Sequence, residues 1–386
     1  MGELVNARTA AERLGVDVRT LYAYVSRGAL RREPGPDGRS SRYDSDELDL
    51  LARRSRPRTL PRPAASIDLV IATRVSTVTD GTVRYRGTDV RDLVGAETPF
   101  ERVADLLWQA APPGSDPGWR VPDAGERPGF PLPAEIPILH RFAIAVAAAD
   151  VTPADLTGSS DPDWPSCGRR VIGRLVDAGG SQSGHLDDGA TVAWRLCRRW
   201  SPLPPTTARV RALDIALVLL AEHELALSTL SVRVAASARA TPASCLLAGL
   251  STLSGSLHGG AARTVHEKLA AGEPVVTGFG HPVHRHGDPR VTPLLEAVYA
   301  VATEQDRALI ETAGRQTPRP LNVDFALGAL TYAARMPAEA ATAIFAIARV
   351  AGWIAHAAEE YTEPPLRFRG RAVRPARGGL RSPSGG

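Results

Sequence analysis

Lysine is almost missing from this 386-residue chain, with Lys268 the only one among 46 basic residues. The scarcity reads as coding bias in a GC-rich genome rather than selection for guanidinium chemistry. The three cysteines, Cys167, Cys197 and Cys245, are odd in number and widely spaced, which excludes a disulfide-stapled scaffold and offers no zinc spacing. Inert thiols in a reducing cytoplasm are the expectation. No eighteen apolar residues run together without a charge, so no membrane-spanning helix is expected. The opening MGELVNARTAAERLG lacks a basic start followed by an apolar run, so no secretory signal is expected either.

What is present fits a globular chain. Hydrophobic residues are 43% and charged residues 23%, enough for a sizeable core, and the length suits two or three domains or a large helical body with an appendage. The net charge of +4 is unevenly spread. Residues 1–63 hold 13 arginines against 9 acids, and residues 367–386 hold 6 arginines and no acid. The body between them carries 27 basic and 33 acidic residues, so the basic character comes from the ends.

The first 54 residues form their own pattern. AAERLGV reads as a short helix stopping at Gly15, and VRTLYAYVSRGAL as a second, with Leu21, Tyr24 and Val25 on one face and Gly28 as stop. Asp17 is placed to cap the second helix. REPGPDGRSSRY reads as a hairpin or wing, and DSDELDLLARR as a third helix capped by Asp44 or Ser45. The carriers of a likeness are Thr9-Ala10-Ala11, Leu14-Gly15-Val16, Arg19-Thr20-Leu21-Tyr22, Arg27-Gly28 and Arg42-Tyr43. On them the segment resembles the winged helix-turn-helix of MerR-type and excisionase-type proteins. A basic, Pro-rich linker follows at 55–66.

The body opens with strand-like alternation around a turn at Asp80-Gly81, then reads as helix after helix from about residue 96. TARVRALDIALVLLAEHELALSTLSVRVAASA is one such apolar stretch. Residues 112–135 and 157–168, rich in Pro, Gly and Asp, are expected to be surface loops, and the tail 375–386 to be disordered.

Several polar residues sit where a core would not choose them. His258 lies in GSLHGGAARTVHEKL, between a Gly-Ser turn and a helix start that favours a neutral imidazole. His281, His284 and His286 lie in GFGHPVHRHGDPR, where His281 follows a Gly-Phe-Gly turn and precedes a proline. The H-x-H pair suggests a metal, but no third ligand of suitable spacing follows, so none is expected. Asp324, beside Phe325 and ahead of an apolar helix, suits either a desolvated general base or a helix cap. Arg349, inside the apolar FAIARVAGWIAH, needs a buried anionic partner.

In chain order, TVRYRGTDVRDL, EHELALST, SLHGGA, GFGHPVHRHGDPR, NVDF, FAIARVAGWIAH and LRFRGR together resemble citrate synthase over roughly residues 67–374. The resemblance implies a mainly α-helical fold, with a large domain at 67–258 and 335–374 and a small one at 259–334 that closes over substrates. It implies condensation of acetyl-CoA with oxaloacetate, with CoA as substrate and no cofactor. By match to the motifs, Asp324 is the base, His258 donates to the thioester oxygen and His281 polarises the ketone. His223, Arg290, Arg349 and Arg367 match the oxaloacetate ligands, Arg367 serving the neighbouring subunit of a homodimer, and Arg285 matches a CoA-phosphate contact.

Departures fall around these positions rather than on them. Ala226 stands where common bacterial members have asparagine, Pro282 where many have arginine, and Ala326-Leu327 where Tyr-Ser is frequent. They bear on acyl-chain choice, so 2-methylcitrate synthase acting on propionyl-CoA is the near alternative; a methylene is worth only ~1–3 kcal/mol of discrimination. A different class of reading makes residues 1–54 a DNA-binding module and the body a ligand sensor. A cytoplasmic location is expected for all three.

Overall fold

The computed structural model describes residues 4–14, 18–26, 30–35, 40–45, 48, 69–110, 136–148, 162–180, 190–255 and 258–369. The chain divides into two compact units, Met1–Ile71 and Ala72–Gly386.

The first unit begins with β1 (Leu4–Asn6) and α1 (Ala7–Leu14), where the Asn6 side chain accepts from the Thr9 amide at 2.9 Å and caps the helix. Helix α2 (Val18–Ser26) follows, then β2 (Glu33–Pro34) and β3 (Ser41–Asp44). The strands form an antiparallel sheet in the order β1-β3-β2, with Val5 opposite Tyr43 and Glu33 opposite Arg42. Ala10, Ala11, Leu21, Leu30, Tyr43 and Leu48 fill a small core, and burial raises the Tyr43 pKa. Asp44 ends a strand, and Ser45 and Leu48 are helical. Asp17, Gly28, the rest of the expected third helix and the linker at 55–66 lie outside the described residues.

The second unit opens with β4 (Ser76–Thr79), β5 (Thr82–Tyr85) and β6 (Thr88–Asp89), a meander turned at Asp80-Gly81, with Gly81 at φ +77°. Helices follow: α3 (Val90–Gly95), α4 (Phe100–Trp108), α5 (Ile138–Ala147), α6 (Trp164–Ala178), α7 (Val192–Trp200), α8 (Thr207–Leu220), α9 (Leu227–Ser237) and α10 (Pro242–Leu253). Then come α11 (Ala261–Ala271), α12 (Val291–Tyr299), α13 (Glu304–Gly314), α14 (Val323–Ala333) and α15 (Glu339–Tyr361).

Two loop and helix expectations change. Residues 164–168, expected within a loop, start α6: the Asp163 carboxylate accepts from the Ser166 amide and Pro165 occupies the first turn, so the Asp/Pro signal is a helix start. The long apolar stretch from Thr207 is two helices, broken over 221–226, where Glu224 takes a left-handed φ of +55°. Residues 111–135 and 370–386 lie outside the described residues.

Helix α15 is long and apolar enough to cross a membrane by length and composition, yet its most apolar window is 89% buried within the fold. It packs against α6, α8, α9 and α10 as the central rod of the unit. At Gly352 a Cβ would lie 2.0 Å from Glu222 Oε2 and 2.7 Å from the Ala221 carbonyl oxygen, so only glycine lets α15 meet the break after α8 this closely.

Candidate active site

His223 sits in the break between α8 and α9, and its place is set by Tyr85. The phenol oxygen lies 3.1, 3.2 and 2.9 Å from the carbonyl oxygens of Val218, Leu219 and Glu222, and 3.2 Å from the Glu222 amide nitrogen. The hydroxyl thus lies among carbonyls of the last turn of α8 and of the break that follows it. The Gly352 amide donates to the Ala221 carbonyl at 3.0 Å, tying the same break to α15.

The loop before α12 brings two more imidazoles to His223. The His223 ring centroid lies 4.9 Å from that of His281 and 5.3 Å from that of His284. His281 Nδ1 accepts the backbone N–H groups of Val283 (3.1 Å) and His284 (3.2 Å), so a neutral His281 carries its proton on Nε2 and presents a donor. Burial, and then the charge of Arg290, lower its pKa to about 4. His223 is held well below the usual histidine value by burial and by Arg290 and Arg349.

Together His223, His281 and His284 offer ligand atoms within 4.8 Å of one another. The H-x-H pair itself divides: His284 is fully buried and belongs to this group, while His286 turns outward to Asp80, 2.5 Å away. The donor chemistry nevertheless suits an anion. His281 would have to give up two backbone hydrogen bonds to free an Nε2 lone pair, and two arginines set a positive field across the cluster.

Arg290 is buried and gripped edge-on by Asp288, with Nε to Oδ1 at 2.9 Å and Nη2 to Oδ2 at 2.8 Å. The same Asp288 Oδ2 accepts from the Val323 amide at 3.1 Å, at the first residue of α14. Asp324 follows, in the first turn. The cap is Asn322, whose side chain accepts from the Asp324 amide at 3.0 Å, so Asp324 is not the cap its position also allowed. Asn322 Nδ2 donates to the Gly280 carbonyl at 2.8 Å, and the Gly280 amide donates to that of Pro320 at 2.7 Å. These bonds lash the Asp324 helix to the residue before His281. Burial raises the Asp324 pKa to about 6, against the opposing pull of Arg290 and Arg349.

Arg349, on α15, is 2% exposed and donates from Nε to the Leu220 carbonyl at 3.0 Å. Its guanidinium carbon lies 4.8 Å from the Phe345 ring centroid. The expected anionic partner is absent as a direct ion pair among the described residues; Glu222 acts on Arg349 through the field, while burial lowers the arginine's pKa. His258, ahead of α11, points Nε2 at the buried Ser228 hydroxyl, 2.9 Å away near the start of α9. Burial and the charge of Arg349 lower its pKa. The field of Arg349 reaches His223, His258 and Asp324, and that of Arg290 reaches His223, His281 and Asp324.

Two of the sequence candidates stand apart. Arg285 is exposed on the loop beyond His284. Arg367 is bound to Glu360 of its own chain, with Nε to Oε1 and Nη2 to Oε2 both at 2.6 Å. Glu360 also meets Arg233, whose Nη1 lies 2.9 Å from His356 Nδ1, and His356 Nε2 lies 3.0 Å from Glu222 Oε1. A buried polar chain therefore runs from the His223 break to Arg367. Sequence reasoning noted His284 but gave it no role, and missed Tyr85, Asp288, Asn322 and Ser228; of these, Asp288 and Asn322 stand within two residues of residues it did choose.

A family model described as citrate synthase, C-terminal domain, matches residues 172–273 and 261–376. A putative citrate synthase 2 of Mycobacterium bovis is 30% identical over 336 residues, covering 77% of this chain and 86% of that protein. A 2-methylcitrate synthase of Mycobacterium tuberculosis is 28% identical over 341 residues, with the same two coverages of 77% and 86%. Among solved structures, citrate synthase from Pyrobaculum aerophilum superposes with a TM-score of 0.66 at 22% identity, over 84% of this chain and 96% of that one. A citrate synthase from Thermoplasma acidophilum, solved with carboxymethyl coenzyme A and oxaloacetate, gives 0.59 at 24% identity, over 81% and 95%.

Proposed function

The chain belongs to the citrate synthase family, and from the site it builds we infer that it condenses an acyl-CoA thioester with oxaloacetate and releases free CoA. The observation that carries this reading is a pairing of opposites within the field of two buried arginines. Arg290 and Arg349 act on Asp324, a carboxyl made more basic by burial, and on imidazoles whose pKa burial lowers.

A thioester methyl group is too weak an acid for a carboxylate alone. Asp324 takes the proton while His258 donates to the thioester oxygen, which becomes the enolate oxygen. The enol carbon attacks the ketone of oxaloacetate, whose oxygen accepts from His281 Nε2–H and takes up the proton as the alkoxide forms. Water then cleaves the thioester. Holding the two substrates in contact contributes up to ~7–11 kcal/mol in favourable cases.

The dianionic keto acid is met by His223, Arg290 and Arg349. Asp288 occupies Nε and Nη2 of Arg290, leaving Nη1 for a carboxylate. Arg367 is clamped in the same way by Glu360, and its Nη1 is the donor it would offer to the neighbouring site of a homodimer. Arg285 is assigned to CoA phosphates on its exposed position. The small domain, 259–334, closes over the substrates and excludes water.

Acetyl-CoA giving citrate and propionyl-CoA giving 2-methylcitrate are equally supported, since relatives of both kinds match over the same share of the chain. Thiol release with oxaloacetate and each acyl-CoA in turn decides between them by kcat/KM. No release with either thioester overturns the enzymatic reading.

The first unit is read as a winged helix-turn-helix on α1, α2 and the β2–β3 wing, a candidate DNA contact in a cytoplasmic protein. A salt-sensitive mobility shift at low ionic strength, altered by oxaloacetate or acyl-CoA, is what the sensor reading requires.

A further inference from the structure

Helix α15 carries a fully buried imidazole, His356, to which the reaction as written gives no part. Both of its ring nitrogens have partners. Nδ1 lies 2.9 Å from Arg233 Nη1, and Nε2 lies 3.0 Å from Glu222 Oε1. A guanidinium donates and never accepts. His356 Nδ1 therefore turns a lone pair toward Arg233, and the ring's proton sits on Nε2, where the Glu222 carboxylate accepts it. An imidazolium would set N–H against N–H at Nδ1, so the ring is neutral. With that tautomer every bond of the buried chain has one direction. Arg367 donates to Glu360, and Arg233 donates to Glu360 Oε2 at 2.9 Å, to Glu359 Oε2 at 2.7 Å and to His356. His356 donates to Glu222 Oε1, which also accepts the Ser76 hydroxyl at 3.0 Å.

We propose that His356 is a positioning residue that joins two keto-acid ligands, His223 through Glu222 and Arg367 through Arg233 and Glu360. Glu222 immediately precedes His223, so holding its carboxylate fixes the orientation of the break that presents the imidazole. Arg233 holds the Glu360 carboxylate that grips Nε and Nη2 of Arg367. One ring, accepting on one side and donating on the other, thus sets both ends. The groups facing it are Arg233 from α9 and Glu222 from the break before α9, with Glu224 of the same break coupled through the field. The roles of His223 and Arg367 rest on the oxaloacetate reading above; the tautomer of His356 does not.

The test uses the whole protein with 15N-labelled histidine. Wild-type spectra are expected to show His356 protonated at Nε2 and bare at Nδ1, its signals assigned by their loss in His356→Phe. That variant fills the space of the ring without its nitrogens, while Arg233 keeps Glu359 and Glu360 and Glu222 keeps Ser76, so the fold is expected to persist. In His356→Phe the Kd for oxaloacetate is expected to weaken about tenfold, the worth of one charge-assisted hydrogen bond, with kcat changed far less. His356→Gln, whose amide both accepts and donates, is expected to restore affinity. A wild-type His356 protonated at Nδ1 overturns the proposal, as does equal affinity in the Phe and Gln variants. Wild-type protein that binds no oxaloacetate overturns the keto-acid reading instead, while the spectra still decide the tautomer.

Discussion

Asn322 Nδ2 donates to the Gly280 carbonyl at 2.8 Å, and this bond joins the cap of the Asp324 helix to the residue before His281. Asp324 and His281 are thereby tied through a side-chain-to-backbone bond between their neighbours rather than by contact between their own side chains. A carboxylate and an imidazole in direct contact would neutralise each other's function by pairing.

Asp324→Asn is expected to lower kcat by roughly 10²–10⁴-fold, the range of a general base, with the fold retained. Thiol release with saturating substrates measures it. Near-wild-type turnover removes Asp324 from the chemistry.

The elevated Asp324 pKa of about 6 has two consequences of known sign. Activity requires the ionised form, so kcat/KM should fall about tenfold per pH unit below about 6. For stability the direction reverses. A carboxyl whose pKa is raised on folding stabilises the native state fully below its unfolded value and loses that contribution as pH rises through about 6. Asp324→Asn should therefore melt higher than wild type at pH 7.5, with the gap closing toward pH 4. Calorimetry across that range checks it.

Asp288→Asn loosens Arg290 and the first amide of α14 together. Breaking a buried pair by removing one partner costs about 3–5 kcal/mol. A lowered Tm and a KM for oxaloacetate raised by an order of magnitude or more are expected. Unchanged steady-state constants would mean that Arg290 is held by something else.

Tyr85→Phe strips the hydroxyl from the carbonyls closing α8, an expected loss of about 1–3 kcal/mol by unsatisfied buried acceptors. Denaturant unfolding gives the stability, and a raised KM for oxaloacetate with smaller change in kcat reports the displacement of His223.

Mixing Arg367→Ala with Asp324→Asn, each inactive alone, separates action within the chain from action across a dimer. If Arg367 serves the neighbouring site, the mixed dimer contains one site with both groups intact, and activity returns on subunit exchange. No recovery confines Arg367 to its own chain.

His258, His281 and Asp324 stood out because each lies in a short, unusual motif: HGG, GFGH and NVDF. The citrate-synthase-like fold followed from seven such pieces in order. What stayed hidden depended on direction rather than identity. In a loop, residues two apart have no helical or strand period to say which faces inward, so His284 and His286 looked alike in the sequence. The break carrying His223 was invisible because apolar residues continue on both sides, and hydropathy does not register a left-handed Glu224. The start of α6 was misread because aspartate and proline mark helix beginnings as well as loops. Tyr85 gave no local sign that its partners lay more than a hundred residues away.

Arg349, Gly352, His356 and Glu360 recur along α15 at intervals of three or four, so they share one stripe of a single helix. That stripe begins at Arg349 and ends at Glu360, the anchor of Arg367. An axial slip of even one residue, about 1.5 Å, would shift both ends by the same step. The helix thus works as a ruler, and small residues along its buried length keep it from being displaced.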